Sequence, residues 1–219
     1  ILIFNRLKQQ NIIVPPSRTG QPKKQKFMGA YVKEPQVGMH EWVVSFDLNS
    51  LYPHLIMQYN ISPETSVESS DVTLSIDKML NKEIDIQSHY ATTPNGARFS
   101  KRKQGFLPEI LENLYDERVL WKNKMIEYQK EFESTDDPKR KQELNRQIAI
   151  AYNNQMVRKI SLNSAYGAIG NEWFRYFELS LAEAVTSSGQ LAIKWVEKAV
   201  NMYLNTILDT EDDLSLIHI

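Results

Sequence analysis

The chain of 219 residues has no cysteine and almost no net charge. Without cysteine it can hold neither a disulfide nor a cysteine-ligated zinc, which suits a reducing compartment. A formal net charge of −1 provides no general basic surface, so any contact with nucleic acid depends on local basic patches. No apolar run reaches the ~18 residues of a membrane span. The length suffices for one large domain or two small ones with a real core.

The two ends lack the features of a complete chain. Ile1 stands where an initiator methionine is expected, and no signal-peptide pattern follows it. From Asp209 onward the sequence stops part-way through a pattern. We therefore expect an internal piece of a longer protein.

The most informative stretch is 42–65, which opens with alternating apolar and polar residues. This alternation predicts a β-strand over residues 42–47, with Asp47 at its end. Removing a carboxylate from water is costly unless a cation or a strong donor compensates for it. Asp47 is therefore a candidate ligand for a hard cation.

A short helix is predicted immediately after this strand. Asn49 and Ser50 can cap a helix from Leu51 onward, and Pro53 is tolerated in a first turn. Free N–H groups at a helix start bind anions such as phosphate. A cation site beside a phosphate site is what metal-assisted phosphoryl transfer requires. A purely structural role for the same turn is equally compatible with the spacing.

Two long helices with a short polar connection are predicted further on. Helical periodicity begins at Pro108 and continues to about Phe132. Asp137 is a natural N-cap with Pro138 at the first helical position, and that helix extends to about Ala168. The two helices form an αα-hairpin.

Each helix of this hairpin carries cations that can bind phosphate oxygens. Arg118 offers a planar fork of donors, whereas Lys122 and Lys159 offer point charges. Four residues share a face of the second helix at successive spacings of four, four and three residues: Gln155, Lys159, Asn163 and Tyr166. Spacing alone favours ordinary solvent-facing helices, because Lys and Arg are usually surface residues.

Outside these stretches the sequence predicts mainly structural elements. Leu2, Phe4 and Leu7 can pack a short helix within a segment, 1–27, that has no acidic residue. Its six basic residues are Arg6, Lys8, Arg18, Lys23, Lys24 and Lys26. This segment either lies along a phosphate backbone or is a solvated linker.

Further strands and one further helix are predicted. Strands are expected at Tyr31–Val32 and Ala97–Ser100, the second after a turn at Pro94–Gly96. Ser180 and Glu183 form a capping box for a long helix that ends near Leu208. The side chains expected on its buried side are Leu181, Val185, Leu191, Trp195, Ala199 and Met202.

Several of these motifs resemble family B DNA polymerases. Residues 47–53, D-L-N-S-L-Y-P, resemble the first palm motif of the family, and residues 60–65, N-I-S-P-E-T, are most similar to the replicative polymerases of T-even-like bacteriophages. Gly105-x-x-Pro108, followed by Arg118 and Lys122, resembles the first fingers helix. Residues 158–167, R-K-I-S-L-N-S-A-Y-G, resemble the second.

A weaker resemblance lies near the N-terminus. Residues 27–30, F-M-G-A, are similar to the Y-x-G-G/A element that contacts the template strand, with Phe27 in place of the usual Tyr. In the second fingers helix, Gly167 and Gly170 are expected to end the helix and let the backbone approach DNA.

The resemblance implies an α+β fold. It predicts a partial polymerase palm, made of a small antiparallel sheet with helices, plus a helical-hairpin fingers subdomain. The implied parts are a basic linker segment at 1–27, a first part of the palm at 28–104, the fingers at 105–171 and a second part of the palm at 172–219.

The resemblance also implies roles for individual residues. Asp47 is the catalytic residue and a metal ligand, with the carbonyl of Leu48 as a second ligand. The nucleotide-binding residues are Ser50, Leu51, Tyr52, Arg118, Lys122, Lys159 and Asn163. The residues that contact the base pair or template are Tyr166, Gly167 and Gly29. Tyr52 would exclude a ribose 2′-hydroxyl by steric contact.

The implied activity is template-directed addition of deoxynucleotides to a primer 3′ end, in the cytoplasm of a phage-infected bacterial cell. Its implied cofactor is Mg²⁺, two ions in the complete enzyme, and its partners are primer–template DNA, deoxynucleoside triphosphates and a sliding clamp, with no membrane. The later Y-G-D-T-D motif that supplies the other carboxylates does not occur in this sequence. We therefore expect the chain alone to be inactive.

A non-catalytic helical module that binds nucleic acid or protein is the alternative. The enzyme hypothesis requires the cations of both helices and the Ser50–Tyr52 turn to face one cleft above Asp47. The module hypothesis has no such requirement.

Overall fold

The computed structural model describes residues 2–16, 29–34, 36–67, 74–84 and 89–210. Its elements in chain order are α1 (Leu2–Gln9), α2 (Leu51–Gln58), a 3₁₀ turn (Pro63–Thr65), β1 (Ser66–Val67), α3 (Ile76–Leu80), β2 (Tyr90–Thr92), β3 (Arg98–Ser100), α4 (Phe106–Ser134), α5 (Pro138–Ile169) and α6 (Leu179–Leu208). The expected mixture of helices with a small antiparallel sheet is confirmed.

Helices α4 and α5 form the predicted antiparallel hairpin. Asp137 caps α5, because its carboxylate accepts a hydrogen bond from the backbone N–H of Lys139 at 3.0 Å. Pro138 occupies the first turn, where its missing N–H has no consequence. Leu144 and Ala151, on the side of α5 that faces α4, are fully buried. The connection between the two helices thus lies at the position that the sequence predicts.

A three-stranded antiparallel sheet in the order β1-β3-β2 lies at the base of the hairpin. The predicted turn joins β2 to β3, with Gly96 at a φ of 87° that few side chains tolerate. The backbone N–H of Thr93 closes the turn on the carbonyl of Ala97 at 2.9 Å. Phe99 in β3 is fully buried and pairs with Ser66 of β1 and Ala91 of β2.

Helix α2 lies at the centre of the core, in contact with α4, α5 and α6. Ile56 of α2 is fully buried in the same apolar cluster as Leu181 and Val185 of α6. Each such aliphatic side chain stabilises the fold by roughly 1.5–3 kcal/mol relative to its exposed state. This packing fixes the start of α2 relative to the hairpin.

The predicted strand over residues 42–47 is wrong. These residues have no regular secondary structure, and Trp42 has a left-handed φ of 60°. Within the described ranges, none of the three strands pairs with this stretch. A strand requires a neighbour to complete its backbone hydrogen bonds, so alternation alone does not create one.

The predicted strand at Tyr31–Val32 is also wrong, and residues 29–34 lie along α6 instead. The carbonyl of Gly29 accepts a hydrogen bond from Gln190 Nε2 at 2.6 Å, and Lys33 forms a 2.6 Å ion pair with Glu197. The side chain of Lys194 lies over the ring of Tyr31 at 5.3 Å. Side-chain contacts, rather than strand pairing, therefore hold this segment.

Helix α6 ends at Leu208 as predicted, but it departs from expectation at its start and in the burial of its second half. It begins at Leu179, and Ser180 Oγ donates to the carboxylate of Glu178 instead of capping the helix, so the capping box is wrong. Leu181 and Val185 are buried as expected, but Trp195 and Met202 are 60% and 67% exposed. A periodic apolar stripe is buried only where another element packs against it.

Two smaller predictions are corrected or limited. Helix α5 ends at Ile169 with Gly170 as its C-cap, whereas Gly167 lies within the helix and does not end it. Helix α1 is confirmed, and its Leu7 is fully buried. Some residues named in the sequence analysis lie outside the described part: Arg18, Lys23, Lys24, Lys26, Phe27, Met28 and the last residues 211–219.

No helix in the described ranges is both long and apolar enough to cross a bilayer.

Candidate functional site

The turn before α2 is held in an unusual backbone conformation. Ser50 is the N-cap residue with φ 52° and ψ 46°, in the left-handed region. Its side chain makes no capping hydrogen bond, so the expected side-chain cap is wrong although the predicted helix start is right. The Ser50 carbonyl instead accepts from the backbone N–H of His54 at 3.1 Å and lies 2.9 Å from His54 Nδ1.

The first turn of α2 leaves backbone donors available for a ligand. The N–H groups at the start of a helix have no partner within it, and here they belong to Leu51 and Tyr52. Pro53, the third residue, has no N–H to offer. The partial positive charge of the helix start adds to the attraction for an anion.

Arg118 of α4 reaches this turn. Its Nη1 donates to Ser50 Oγ at 3.1 Å across 68 positions of sequence. Its Nε is buried and, among the described residues, has no hydrogen-bond partner. Because a buried donor without a partner is destabilising, this N–H is a candidate donor to a bound anion. The hairpin therefore brings a partly unsatisfied guanidinium to the start of α2.

Tyr52 and Tyr166 link α2 to α5 at the same end. Their ring centres lie 4.7 Å apart at an interplanar angle of 56°. Burial raises the pKa of both phenols, and the neighbouring Tyr52 raises the pKa of Tyr166 further. The neutral form of each is favoured, so the pair presents uncharged rings with a hydroxyl group.

The Tyr52 ring also lies directly against α6. A Cβ atom added to Gly189 would lie 2.8 Å from Cε1 of Tyr52. Gly189 is therefore required for space, and its absent side chain lets α6 approach the ring. Tyr52 is held between two helices.

Lys122 and Lys159 lie on the two helices of the hairpin but are not drawn into these contacts. Both are exposed, and neither forms an ion pair within the described ranges. Arg158, next to Lys159, behaves differently because it pairs with Glu117 at 2.7 Å and lies over Trp121 at 5.9 Å. The hairpin thus neutralises one cation and leaves its neighbour available.

The remaining residues of the second helix differ in exposure along their shared face. Gln155 is buried, Asn163 is exposed, and Tyr166 is half-buried. Gly167 is exposed, and a Cβ added there would meet nothing within 4 Å. Gly29 is exposed, with its carbonyl bound to Gln190.

Asp47 forms no ion pair with these cationic groups in the described part of the chain. Asp47 is exposed, as is the side chain of Leu48 at 45%. In the described part of the chain, no group of three His, Cys, Asp or Glu residues could hold a metal ion. One exposed carboxylate and one carbonyl are an incomplete ligand set for Mg²⁺, which prefers six oxygens with several of them from water. The described residues do not by themselves form a metal centre.

In the sequence, the loop after α2 is visible only as part of the family resemblance. Asn60 has a left-handed φ of 56° and uses its whole side-chain amide to bind the segment that leads into α4. A polar residue directly after a helix, in a conformation that Asn tolerates, was the available signal.

Comparison with known proteins assigns the family. The sequence profile described as DNA polymerase family B matches residues 1–216. The chain belongs to DNA polymerase family B. The match covers the turn at Ser50, the hairpin and α6 together, so the geometry above is that of a family B chain.

Individual relatives agree with this assignment. The chain is 33% identical to the DNA-directed DNA polymerase of Escherichia phage RB69 over 257 aligned positions, covering 99% of this chain and 28% of the relative. It is 31% identical to the DNA-directed DNA polymerase of Enterobacteria phage T4 over 249 positions, covering 97% and 28%. The chain thus spans little more than a quarter of the length of these relatives.

The fold agrees as well. The structure of the family B DNA polymerase from the archaeon Pyrobaculum calidifontis superposes with a TM-score of 0.60 at 22% identity, covering 92% of this chain and 23% of that one. At this identity the likeness concerns the fold alone.

Proposed function

We propose that this chain is the nucleotide-binding part of a longer DNA-directed DNA polymerase, which adds deoxynucleotides to a primer 3′ end. The observation that carries the proposal is the approach of Arg118 to the Ser50 turn. Two segments 68 positions apart meet at 3.1 Å where a helix start offers free N–H groups. A module that only binds DNA or protein does not require this contact.

The triphosphate would be held at the start of α2. The backbone N–H groups of Ser50, Leu51 and Tyr52 would donate to phosphate oxygens together with the guanidinium of Arg118. Lys122 and Lys159, exposed and unpaired in the described part, would add charge from the two hairpin helices. Charge placed near the leaving pyrophosphate lowers the barrier to phosphoryl transfer.

The sugar and base would lie beside the tyrosine pair. Tyr52 would lie under the deoxyribose, and its ring, fixed by Tyr166 and Gly189, would collide with a 2′-hydroxyl. Tyr166 would pack on the new base pair with Asn163 nearby. Gly167 and Gly29 would face the template strand.

Asp47 and the carbonyl of Leu48 would be ligands of the divalent ions that this chemistry uses. The described residues do not complete such a site, so the other carboxylates would come from elsewhere in the longer protein. Residues 1–27 would be a linker, 28–104 and 172–219 two parts of the palm, and 105–171 the fingers. Primer–template DNA and a sliding clamp would be partners of the whole protein in the infected cell.

Binding of a fluorescent deoxynucleoside triphosphate to the 219-residue chain tests the proposal. We expect Arg118→Ala to weaken this binding roughly ten-fold or more, because a charged hydrogen bond contributes ~1.5–3 kcal/mol. Arg146→Ala is the matched control, since Arg146 is an exposed arginine of α5 outside the proposed site. Equal loss in both variants would indicate only general attraction between charges and would overturn the proposal.

A further inference from the structure

The loop 60–65 is joined to the start of α4 by a dense set of hydrogen bonds. Both N–H groups of the Asn60 side chain donate to backbone carbonyls, those of Ser100 at 2.7 Å and Lys103 at 2.8 Å. The side-chain oxygen accepts from the backbone N–H of Gly105 at 2.8 Å. The side-chain amide of Asn60 thus uses both of its N–H donors and its oxygen to bind residues 100–105.

Glu64 binds the first residue of α4 from the same loop. One carboxylate oxygen accepts from the backbone N–H of Phe106, and the other accepts from Ser62 Oγ at 2.6 Å. The N–H of Phe106 has no partner within the helix, and a negative charge at a helix start is favourable. Glu64 therefore caps the start of α4, because the N-cap residue, Gly105, has no side chain that could accept this hydrogen bond.

The contact between loop and helix leaves no spare room. A Cβ added to Gly105 would lie 2.5 Å from Cβ of Ser62 and 3.1 Å from Cγ2 of Thr65. The φ of Gly105 is −74°, which any residue adopts, so glycine is needed here for space and not for conformation. The loop and the base of α4 are thus fitted to each other.

These contacts lie at the N-terminal end of the 29-residue helix α4, so a small change of angle there displaces residues farther along the helix. Arg118 lies 13 residues beyond Gly105, or about 20 Å along the helix at 1.5 Å per residue, so a tilt of about 5° at the base would move it by about 2 Å. Such a movement would break its 3.1 Å contact with Ser50. A small rotation at the loop is therefore enough to separate Arg118 from the start of α2.

We propose that Asn60, supported by Glu64, is a positioning residue that sets the direction of the hairpin and thereby holds Arg118 over the Ser50 turn. Among the described residues Asn60 forms no hydrogen bond with the turn or with Arg118, and it would act on Arg118 through the backbone of 100–105. Its left-handed φ of 56° is one that Asn adopts more readily than most residues. The consequence for nucleotide binding rests on the proposed function, whereas the direction of the hairpin does not.

The direction of the hairpin can be measured in the chain itself, because the absence of cysteine allows two spin labels to be placed freely. Lys130→Cys on α4 and Lys198→Cys on α6 are exposed positions, and their separation can be followed by pulsed electron paramagnetic resonance. A tilt of about 5° moves a label at 130 by about 3 Å, given the rise of the helix. We expect Asn60→Ala to shift or broaden the distance distribution by at least this much.

Asn113→Ala is the matched control, since Asn113 is an exposed asparagine of α4 whose side chain, among the described residues, donates to the Glu109 carbonyl within the same helix. We expect its distances to equal those of the parent. If Asn60→Ala does not fold, Asn60→Asp keeps the acceptor for Gly105 and tolerates the positive φ but lacks both N–H donors. An unchanged distance in whichever of these variants folds, even with a lower free energy of unfolding, would overturn the proposal.

The same variants separate this proposal from the function. We expect Asn60→Ala to weaken binding of the fluorescent nucleotide roughly ten-fold, as for loss of one charged hydrogen bond. If the parent chain binds no nucleotide while the distance still shifts, the proposed function fails and the positioning role stands. If nucleotide binding depends on Arg118 but the distance does not depend on Asn60, the positioning role fails.

Discussion

The region around α2 and the stretch 36–48 differ sharply, although both are rich in apolar residues. In the first, Ile56 and Phe99 are fully buried, whereas in the second Val37 and Trp42 are 97% and 95% exposed. A helix completes its own backbone hydrogen bonds, so α2 needs neighbours only for its side chains. A strand needs neighbours for its backbone as well, and the described part of the chain offers none to 36–48.

The largest expected effect tests this difference with the same substitution in both regions. Phe99→Ala should lower the free energy of unfolding by about 3–5 kcal/mol because it empties a packed site. Phe46→Ala, at a side chain 74% exposed, should change it by less than about 0.5 kcal/mol. Urea unfolding of the 219-residue chain measures both. Similar losses would mean that 36–48 is packed in solution.

A smaller effect is expected from glycines within the packed region and at its edge. Gly189→Ala should destabilise the chain by about 1–2 kcal/mol, since the new methyl group forces the Tyr52 ring to move. Gly167→Ala, with open space around its Cβ, should stabilise α5 by up to about 1 kcal/mol. Thermal and urea unfolding of the two variants give the sign. Stabilisation by both would show that Tyr52 has room to yield.

The smallest effect concerns pH. The pKa values of Tyr52 and Tyr166 are raised by burial above the ordinary 10.0. Because the folded state holds these protons more tightly, their contribution to stability is complete below pH 10.0 and is lost as the pH rises through the folded pKa values. The stretch 36–48 has no tyrosine and should add nothing to this loss.

Unfolding measured on both sides of that pH, in Tyr52→Phe and Tyr166→Phe, checks the origin of the loss. We expect a smaller alkaline loss in each than in the parent chain. Tyr152→Phe is the control, since Tyr152 is exposed on α5. Equal alkaline loss in all of them would assign it to other groups.

Sequence patterns predicted the helices well and the strands unevenly. The start of α5 followed from Asp137 and Pro138, and the β2–β3 turn from Pro94–Gly96, because these signals act over a few residues. The strand predicted at 42–47 and the burial predicted for Trp195 and Met202 are both wrong, because each would require a partner far away in sequence. Local pattern does not contain that information.

The candidate site shows the same division. Ser50, Tyr52, Arg118 and Tyr166 were singled out from motifs, and their contacts bring three helices together. Lys122, Lys159 and Asp47 were singled out in the same way, but they are exposed and stay apart from these contacts. Their roles remain predictions. Sequence patterns do not predict the hydrogen bond between Asn60 and Gly105, because it joins positions 45 apart.

The amino-acid sequence by itself determined the family, the two hairpin helices and the turn that begins α2, since caps, prolines and helical periodicity act within neighbouring residues. Only the tertiary structure decided that Arg118 meets Ser50, that α6 requires a glycine against Tyr52 and that residues 42–47 form no strand. The physical reason is that each of these outcomes depends on the distance between groups that the chain brings together, or fails to bring together, only after its helices have packed.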